Sequence, residues 1–139
     1  MKTPFVFLAL SIVLGTAMGC ATVAQTPTDR AQIQLVLDQW KAAAESGDVD
    51  RLMSLYADDY NANGQTKADV AKDLASELKD SKSEGLVIIV NVATITIDGN
   101  KATAMPIAAS SRVGSDSFRF DLAKEQGRWL IVGMANVPD

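Results

Sequence analysis

The sequence predicts a single α+β domain, in which three N-terminal helices pack on a strongly curved, four-stranded antiparallel sheet. The spacing of the apolar residues changes along the chain: it is helical, about 3.6 residues, until roughly residue 80, and alternates with a period of 2 from Leu86 onward. Helices followed by antiparallel strands are typical of α+β folds. The domain is predicted to span residues 29–139, a usual size for one domain.

Residues 1–19 are predicted to be a secretory signal peptide. Met1-Lys2 gives a positively charged start, and Phe5–Met18 is an uncharged, largely apolar run. This run is shorter than the roughly 20 residues that a membrane-spanning helix needs, so a retained transmembrane anchor is the weaker alternative. Residues 20–28 then form a tether in front of the domain.

Cys20 is the only cysteine of the chain, which excludes an intramolecular disulfide. The stretch Ala17–Cys20, AMGC, resembles the bacterial lipobox, although Ala17 stands where leucine is usual. The resemblance implies that Cys20 is lipidated and that the protein is exported to the periplasm as a membrane-anchored lipoprotein. Ala21, rather than aspartate, follows the cysteine and favours the outer membrane. Ordinary signal-peptidase cleavage after Ala24 is the alternative.

Charge and histidine content argue against several classes of function. The chain from residue 20 onward carries 12 basic and 17 acidic side chains, a net charge of −5, whereas nucleic-acid binding needs a basic face. The sequence contains no histidine, the commonest neutral-pH acid/base group and transition-metal ligand. We therefore expect no nucleic-acid partner, no metal site and no cofactor.

The first helix is predicted to begin at a capping-box spacing between Thr26 and Asp29 and to end at Gly47. Asp48 is predicted to cap a second helix that continues through Tyr56. The first helix has a helically spaced apolar stripe, formed by Ile33, Val36, Leu37, Trp40, Ala43 and Ala44.

The second helix is predicted to end before Asn63-Gly64, a strong turn signal. Thr66 and Asp69 have the spacing of another capping box and predict a third helix through about Lys79. Its apolar stripe consists of Val70, Ala71, Leu74 and Leu78. The charged segment KDSKSEG is predicted to be a linker.

Four strands are predicted after the linker. The first is LVIIVNVATITI, residues 86–97, and Asp98-Gly99-Asn100 is a hairpin turn signal. Pro106 predicts a bulge or an edge in the second strand. The third strand alternates and places Phe118, Phe120 and Leu122 on one face. The last strand, RWLIVGMAN, is apolar on both faces and is therefore predicted to be central in the sheet.

Three motifs in this order resemble the nuclear transport factor 2-like, or SnoaL-like, superfamily: AAAESGDVDRLMSLYADDY after Trp40, then DGNKATAMPI, then LAKEQGRWLIVGM. The resemblance covers about residues 29–135. It implies a cystatin-like α+β cone, in which a bent sheet wraps the helices and leaves an apolar pocket at the open end. In some members this pocket holds a small hydrophobic ligand and in others a reactive centre, so the fold does not fix the function.

The ketosteroid-isomerase branch of the superfamily supplies the enzyme hypothesis, because its catalytic carboxylate lies a few residues beyond a YADD-like helix end. Counted from Tyr56–Asp59, that position falls near Asn63 or Gly64, and neither residue can act as a base. The first helix also has Trp40 and no tyrosine where the family has an oxyanion-stabilising one. No catalytic residue is therefore assigned.

Asp58 and Asp59 leave two interpretations open. As functional groups they would be a carboxylate pair with split pKa values, or ligands of a hard metal ion. As structural residues they are solvated carboxylates at the end of a helix. The second interpretation is favoured, because no further carboxylate follows in the sequence until Asp69.

Seven residues are candidates for lining the pocket: Trp40, Tyr56, Tyr60, Asn91, Met105, Phe118 and Phe120. For the aromatic residues the alternative is a place in the core, and for Asn91 it is a bulge or an outward position. The sequence thus predicts a lipid-anchored domain that binds a small apolar ligand or a protein partner without catalysis, and that forms a homodimer through the exposed sheet face. A SnoaL-like or ketosteroid-isomerase-like enzyme with another acid/base arrangement is the alternative.

Overall fold

The computed structural model describes residues 27–138, except for the side chains of residues 81–83. The predicted signal peptide, Cys20 and most of the tether lie outside the described residues. Within residues 27–138 the chain forms three α-helices, a two-stranded hairpin and a five-stranded antiparallel sheet. The predicted α+β class is confirmed, whereas the number of strands is larger than the four that the sequence predicts.

Thr28 caps the first helix, α1, which spans Asp29–Ser46. Its Oγ1 accepts a hydrogen bond of 3.3 Å from the amide of Ala31, which satisfies one of the unpaired donors of the first turn. The cap predicted at Thr26 falls outside the described residues, and the observed N-cap is Thr28. Gly47, with φ of 72°, ends α1 in the left-handed conformation, as predicted.

The second helix, α2, is short and spans Val49–Met53. Asp48 caps it as predicted, because its Oδ1 accepts a hydrogen bond of 3.1 Å from the Arg51 amide. The prediction that this helix continues through Tyr56 is wrong. The backbone beyond α2 instead pairs with a strand, since the Ala57 amide donates to the carbonyl of Ile131 over 2.9 Å.

The predicted Asn63-Gly64 turn joins two short strands, β1 (Asn61–Ala62) and β2 (Gln65–Thr66). The third helix, α3, spans Lys67–Ser83. Its capping box is confirmed: the Thr66 amide donates to Oδ2 of Asp69 over 2.9 Å, and the Asp69 amide donates to Oγ1 of Thr66 over 3.4 Å.

The helix α3 extends four residues beyond the predicted end at Lys79, through most of the segment predicted to be a linker. Lysine, aspartate and serine are tolerated in a helix. The first residue after Lys79 with a left-handed backbone is Gly85, with φ of 74°. The linker prediction is therefore wrong: the segment is charged, but it contains no helix-breaking residue before Gly85, so the helix continues.

The main sheet consists of five antiparallel strands. Their bounds are β3 (Val87–Ile89), β4 (Thr94–Asp98), β5 (Lys101–Ser111), β6 (Gly114–Glu125) and β7 (Arg128–Asn136). The order is β3-β5-β6-β7, and β4 pairs with the other half of the same edge of β5. The predicted hairpin turn is confirmed, since Asp98 pairs with Lys101 across Gly99-Asn100.

A single strand over residues 86–97 is not observed, because the chain turns at residues 90–93. The Ala93 amide bonds to the carbonyl of Val90 over 3.2 Å and separates β3 from β4. The break lies opposite Pro106, which has no amide hydrogen to offer to a partner strand. The predicted bulge at Pro106 is confirmed by the register shift between Ala104 and Ile107.

The strand β7 is an edge strand, so its predicted central position is wrong. It pairs along its length with β6 alone, and a single bridge joins Ile131 to Tyr56 on its other side. The central position was predicted because Leu130 and Val132 make the second face of this strand apolar. In the structure these two side chains are half-buried. The segment after α2 covers the edge where a further strand was expected.

The helices pack against the concave face of the sheet. Phe120 and Leu122 are fully buried on this face and Phe118 is partly buried there, as the alternation of β6 predicts. At the start of α1, Oδ1 of Asp29 accepts hydrogen bonds from Nζ of Lys124 over 2.7 Å and from Nε1 of Trp129 over 3.0 Å. These bonds tie the beginning of α1 to the β6–β7 hairpin.

Candidate ligand-binding cavity

A cavity of about 300 Å³ opens between α1, α3 and the concave face of the sheet. We call six of the apolar residues that line it the floor: Trp40, Leu74, Leu78, Ile88, Phe118 and Met134. Four of them are almost fully buried, and Phe118 and Met134 are partly buried. Five elements position the floor, because α1, α3, β3, β6 and β7 each contribute to it.

The rim of the cavity is polar and exposed. It comprises Glu77 on α3, Ser110 at the end of β5 and Asp116 on β6, with the exposed Val113 beside them in the turn after β5. Charged side chains are thus confined to the rim. An apolar interior with a few polar groups at its mouth is the usual composition of a small-molecule site.

Trp40 is held from two sides. Its Nε1 donates a hydrogen bond of 3.0 Å to the hydroxyl of Tyr56, and its ring meets that of Phe120 edge-on, with 5.0 Å between the ring centroids. Burial raises the pKa of Tyr56, against the opposing effect of the hydrogen bond from Trp40. The phenol therefore stays protonated at neutral pH.

A charged cluster fixes β3 against α1 beside the cavity. Nζ of Lys41 lies 2.5 Å from Oε1 of Glu45 and donates a hydrogen bond of 2.6 Å to the carbonyl of Ile88. Oε1 of Glu45 also accepts a bond of 3.0 Å from the Ile88 amide. Both backbone groups of a floor residue are thus held by α1, and we call Lys41 and Glu45 the β3 clamp.

The β3 clamp shifts the pKa of Glu45. Partial burial raises this pKa, but the hydrogen bonds from Lys41 and from the Ile88 amide outweigh that effect, so the pKa lies below its ordinary value. The i,i+4 spacing of Lys41 and Glu45 is visible in the sequence and predicts an ion pair. The contact with Ile88, far along the chain, is not visible there.

Two of the seven predicted pocket residues, Trp40 and Phe118, line the cavity. Phe120 lies in the core against Trp40 and contributes no lining surface. Asn91 is exposed in the turn between β3 and β4, where the chain leaves the sheet. Met105 lies on the outer face of β5 beside the bulge and is 37% exposed.

Tyr56 and Tyr60 belong to the core and not to the lining of the cavity. Their rings pack edge-to-face, with 5.1 Å between centroids, and both residues are almost fully buried. Burial, together with the negative charge of Asp121, raises the pKa of Tyr60. The segment after α2 pairs with β7. This pairing places both rings under the edge of the sheet, outside the lining of the cavity.

Asp58 and Asp59 are exposed and do not line the cavity. Asp58 forms an ion pair of 2.9 Å with Nζ of Lys67, and the hydrogen bond from Lys67 lowers its pKa. The two aspartates are therefore solvated carboxylates, as that interpretation predicts, but they lie in a turn after α2 and not at a helix end.

The chemistry available in the cavity is limited by its floor. No floor side chain is titratable, and no charged side chain in the described part of the chain is fully buried. Residues 27–138 contain no cluster of three or more carboxylate or thiol side chains placed to hold a metal ion. No helix in that range combines the length and hydropathy that crossing a membrane requires. The apolar floor of the cavity favours the transfer of an apolar molecule from water into the cavity.

Sequence reasoning missed most of the floor. The predicted apolar stripe of the third helix includes Leu74 and Leu78, and the predicted strands include Ile88 and Met134, but no pattern in the sequence places these four in the pocket. Periodicity identifies the apolar side of an element. It does not identify the part of that side that neighbouring elements leave uncovered.

Comparisons with known proteins give matches at the level of structure only; no family model and no curated protein matches the sequence. A protein of unknown function with a cystatin-like fold from Nostoc punctiforme superposes with a TM-score of 0.66 at 17% identity, covering 80% of this chain and 91% of that one. An NTF2-like protein with a cystatin-like fold from Novosphingobium aromaticivorans gives 0.63 at 22% identity, covering 78% and 80%.

A third similar structure is an NTF2-like protein of unknown function from Pseudomonas putida, with a TM-score of 0.65 at 16% identity, covering 81% of this chain and 89% of that one. At these identities the likeness concerns the fold and carries no activity. The observed element order, the antiparallel sheet and these superpositions agree. The chain therefore has the nuclear transport factor 2-like, or cystatin-like, α+β fold.

Proposed function

We propose that the protein binds a small apolar ligand non-covalently in the cavity between α1, α3 and the sheet. The observation that carries this proposal is the floor, which is built from apolar side chains and holds no titratable group. A volume of about 300 Å³ lies at the lower end of the range of roughly 300–1,000 Å³ for small-molecule sites. Burial of apolar ligand surface supplies the driving force.

Binding without catalysis is preferred to the enzymatic alternative because the aspartates and the tyrosine that the sequence suggests for catalysis do not line the cavity. Asp58 and Asp59 are outside the cavity. Tyr56 is buried with a raised pKa, so its phenol stays protonated at neutral pH and supplies no phenolate base. A general base must lie within hydrogen-bond reach of its substrate. The floor offers no such group, and the carboxylates that line the cavity, Glu77 and Asp116, are exposed at its rim.

Native mass spectrometry of the protein purified from its own membrane tests the binding function. We expect a bound small molecule that is lost on denaturation and that is recovered in an organic extract of the pure protein. A preparation that contains no such molecule, and that takes up no added apolar compound, would contradict the proposal.

We further propose that Cys20 carries a lipid and anchors the domain in the periplasm, with the outer membrane favoured. The support is the sequence alone: a signal-like segment that ends in AMGC at residues 17–20. Mass spectrometry of the mature N-terminus should find a diacylated or triacylated Cys20. An unmodified peptide that contains Cys20, or an N-terminus produced by cleavage after Ala24, would contradict the anchor.

As a second candidate, the protein forms a homodimer through the outer face of the sheet. One observation supports it. That face contains a shallow groove of about 380 Å³, lined among others by Thr96, Lys101, Thr103, Asp121 and Val132. Light scattering should then report a dimer, and Thr103→Arg, which places a bulky charge in the groove, should yield a monomer. A monomeric wild-type protein would contradict this candidate.

A further inference from the structure

We infer that the cavity selects a small amphiphile with a cationic head group, whose apolar body occupies the floor and whose head remains at the rim. This inference rests on the proposed binding function and adds the chemical class of the ligand. It is carried by the charges at the rim, by the absence of basic lining residues and by the lack of polar groups in the floor.

Two carboxylates from different elements line the mouth of the cavity. Glu77 is on α3 and Asp116 is on β6, and both side chains are exposed. Neither takes part in an ion pair or a side-chain hydrogen bond within the described part of the chain. Their charges are therefore available to a ligand.

No lysine or arginine lines the cavity within the described residues. Arg112, which lies between two lining residues in the sequence, has its Nη2 3.0 Å from Oε2 of Glu84. Lys41 beside the floor is engaged by Glu45. Arg112 and Lys41 thus each have a carboxylate partner, while no described side chain pairs with the two rim carboxylates.

The floor determines where the head group must lie. A charge moved into a region without polar partners loses its hydration, at a cost that nothing in the floor offsets. The polar lining side chains are at the mouth, where Ser110 and Ser111 accompany the two carboxylates. A cationic head at this position is attracted by Glu77 and Asp116, an anionic head is repelled, and an uncharged head experiences neither effect.

The test compares three eight-carbon probes, octyltrimethylammonium, 1-octanol and octanoate, at concentrations at which they remain monomeric. The mature protein carries Cys20→Ser, so that no lipid or detergent competes for the probes. Binding is followed by tryptophan emission. Trp40 lines the cavity and Trp129 does not, so a change on binding reports on Trp40.

We expect the cation to bind roughly tenfold more tightly than the anion at low salt, because exposed charge pairs contribute modestly and are screened. The ratio should fall toward one at high salt and in a Glu77→Gln/Asp116→Asn variant. The matched control is Asp50→Asn/Asp59→Asn, which removes two exposed charges that line neither the cavity nor the outer groove, and it should retain the preference.

Equal affinities for the three probes, unchanged in the rim variant, would overturn the cationic selectivity and leave the binding function standing. A preference for the cation that persists in the rim variant would overturn the role of Glu77 and Asp116. Failure of all three probes to bind would overturn the binding function together with the inference.

Discussion

Nε1 of Trp40 donates a hydrogen bond of 3.0 Å to the hydroxyl of Tyr56, and both side chains are almost fully buried. Trp40 lines the cavity, while Tyr56 lies where the segment after α2 pairs with β7. The bond therefore connects the cavity wall to the covered edge of the sheet. We expect this bond to stabilise the folded state.

Tyr56→Phe removes the acceptor and leaves the indole N–H of Trp40 buried without its partner. Such a loss costs about 1–3 kcal/mol of the free energy of unfolding. Tyr60→Phe is the matched control, because the Tyr60 hydroxyl makes no hydrogen bond to the described residues while its ring is equally buried. Urea denaturation should show a lower midpoint for Tyr56→Phe and little change for Tyr60→Phe. Equal effects would mean that the hydrogen bond contributes nothing.

The β3 clamp predicts a pH dependence of stability. The pKa of Glu45 is lowered in the folded protein from a value of 4.5, so its contribution is fully present above about pH 4.5 and is lost as the pH falls through the lower, folded pKa. Glu45→Gln should therefore be less stable than the wild type at pH 7, and the difference should shrink on acidification.

Denaturation midpoints of the wild type and Glu45→Gln between pH 7 and pH 3 check this prediction. Asp59→Asn, which changes an exposed carboxylate outside the clamp, should differ little from the wild type over the range. A gap between wild type and Glu45→Gln that stays constant down to pH 3 would show that the charge of Glu45 is not the source of the stabilisation.

The Asp58→Asn/Asp59→Asn variant separates the binding function from the enzymatic alternative. Both aspartates lie outside the cavity, and the ion pair of Asp58 with Lys67 is exposed. The variant should bind apolar probes as the wild type does, and it should remain folded, because exposed ion pairs contribute little to stability. Loss of a measurable turnover in this variant would support catalysis by this pair instead.

The local features of the fold could be predicted from the sequence because neighbouring residues determine them. The cap at Asp48, the end of α1 at Gly47, the capping box of Thr66 and Asp69, and the bulge at Pro106 all depend on the chemistry of a few adjacent residues. Each is present in the structure.

The features that depend on distant partners could not be predicted in the same way. The position of β7 at the edge depends on the backbone of Leu55 and Ala57, which takes the place of a further strand at Ile131. The break between β3 and β4 depends on the bulge in β5. No pattern within either strand contains this information.

The candidate site shows the same division. Trp40 and Phe118 were assigned to the pocket from their type and face, and they line it. Tyr56 and Tyr60 satisfied the same criteria but are covered by the β7 edge. Which apolar residues remain uncovered depends on how the helices sit on the sheet, and a one-dimensional pattern does not encode that arrangement.

The central claim, that the cavity holds an apolar ligand, is tested most directly by filling it. Ala109 lines the cavity, whereas Ala108, its neighbour on β5, points to the other face of the sheet. Ala109→Leu adds three carbon atoms to the wall of the cavity, and Ala108→Leu adds the same atoms outside the cavity. The measurement is the dissociation constant of 1-octanol for the two variants and the wild type.

At about 0.8 kcal/mol per buried methylene, displacing two or three ligand carbons should weaken binding by about tenfold or more in Ala109→Leu. Binding in Ala108→Leu should match that of the wild type. Undiminished affinity in a folded Ala109→Leu protein, or an equal loss in both variants, would contradict the assignment of this cavity as the binding site.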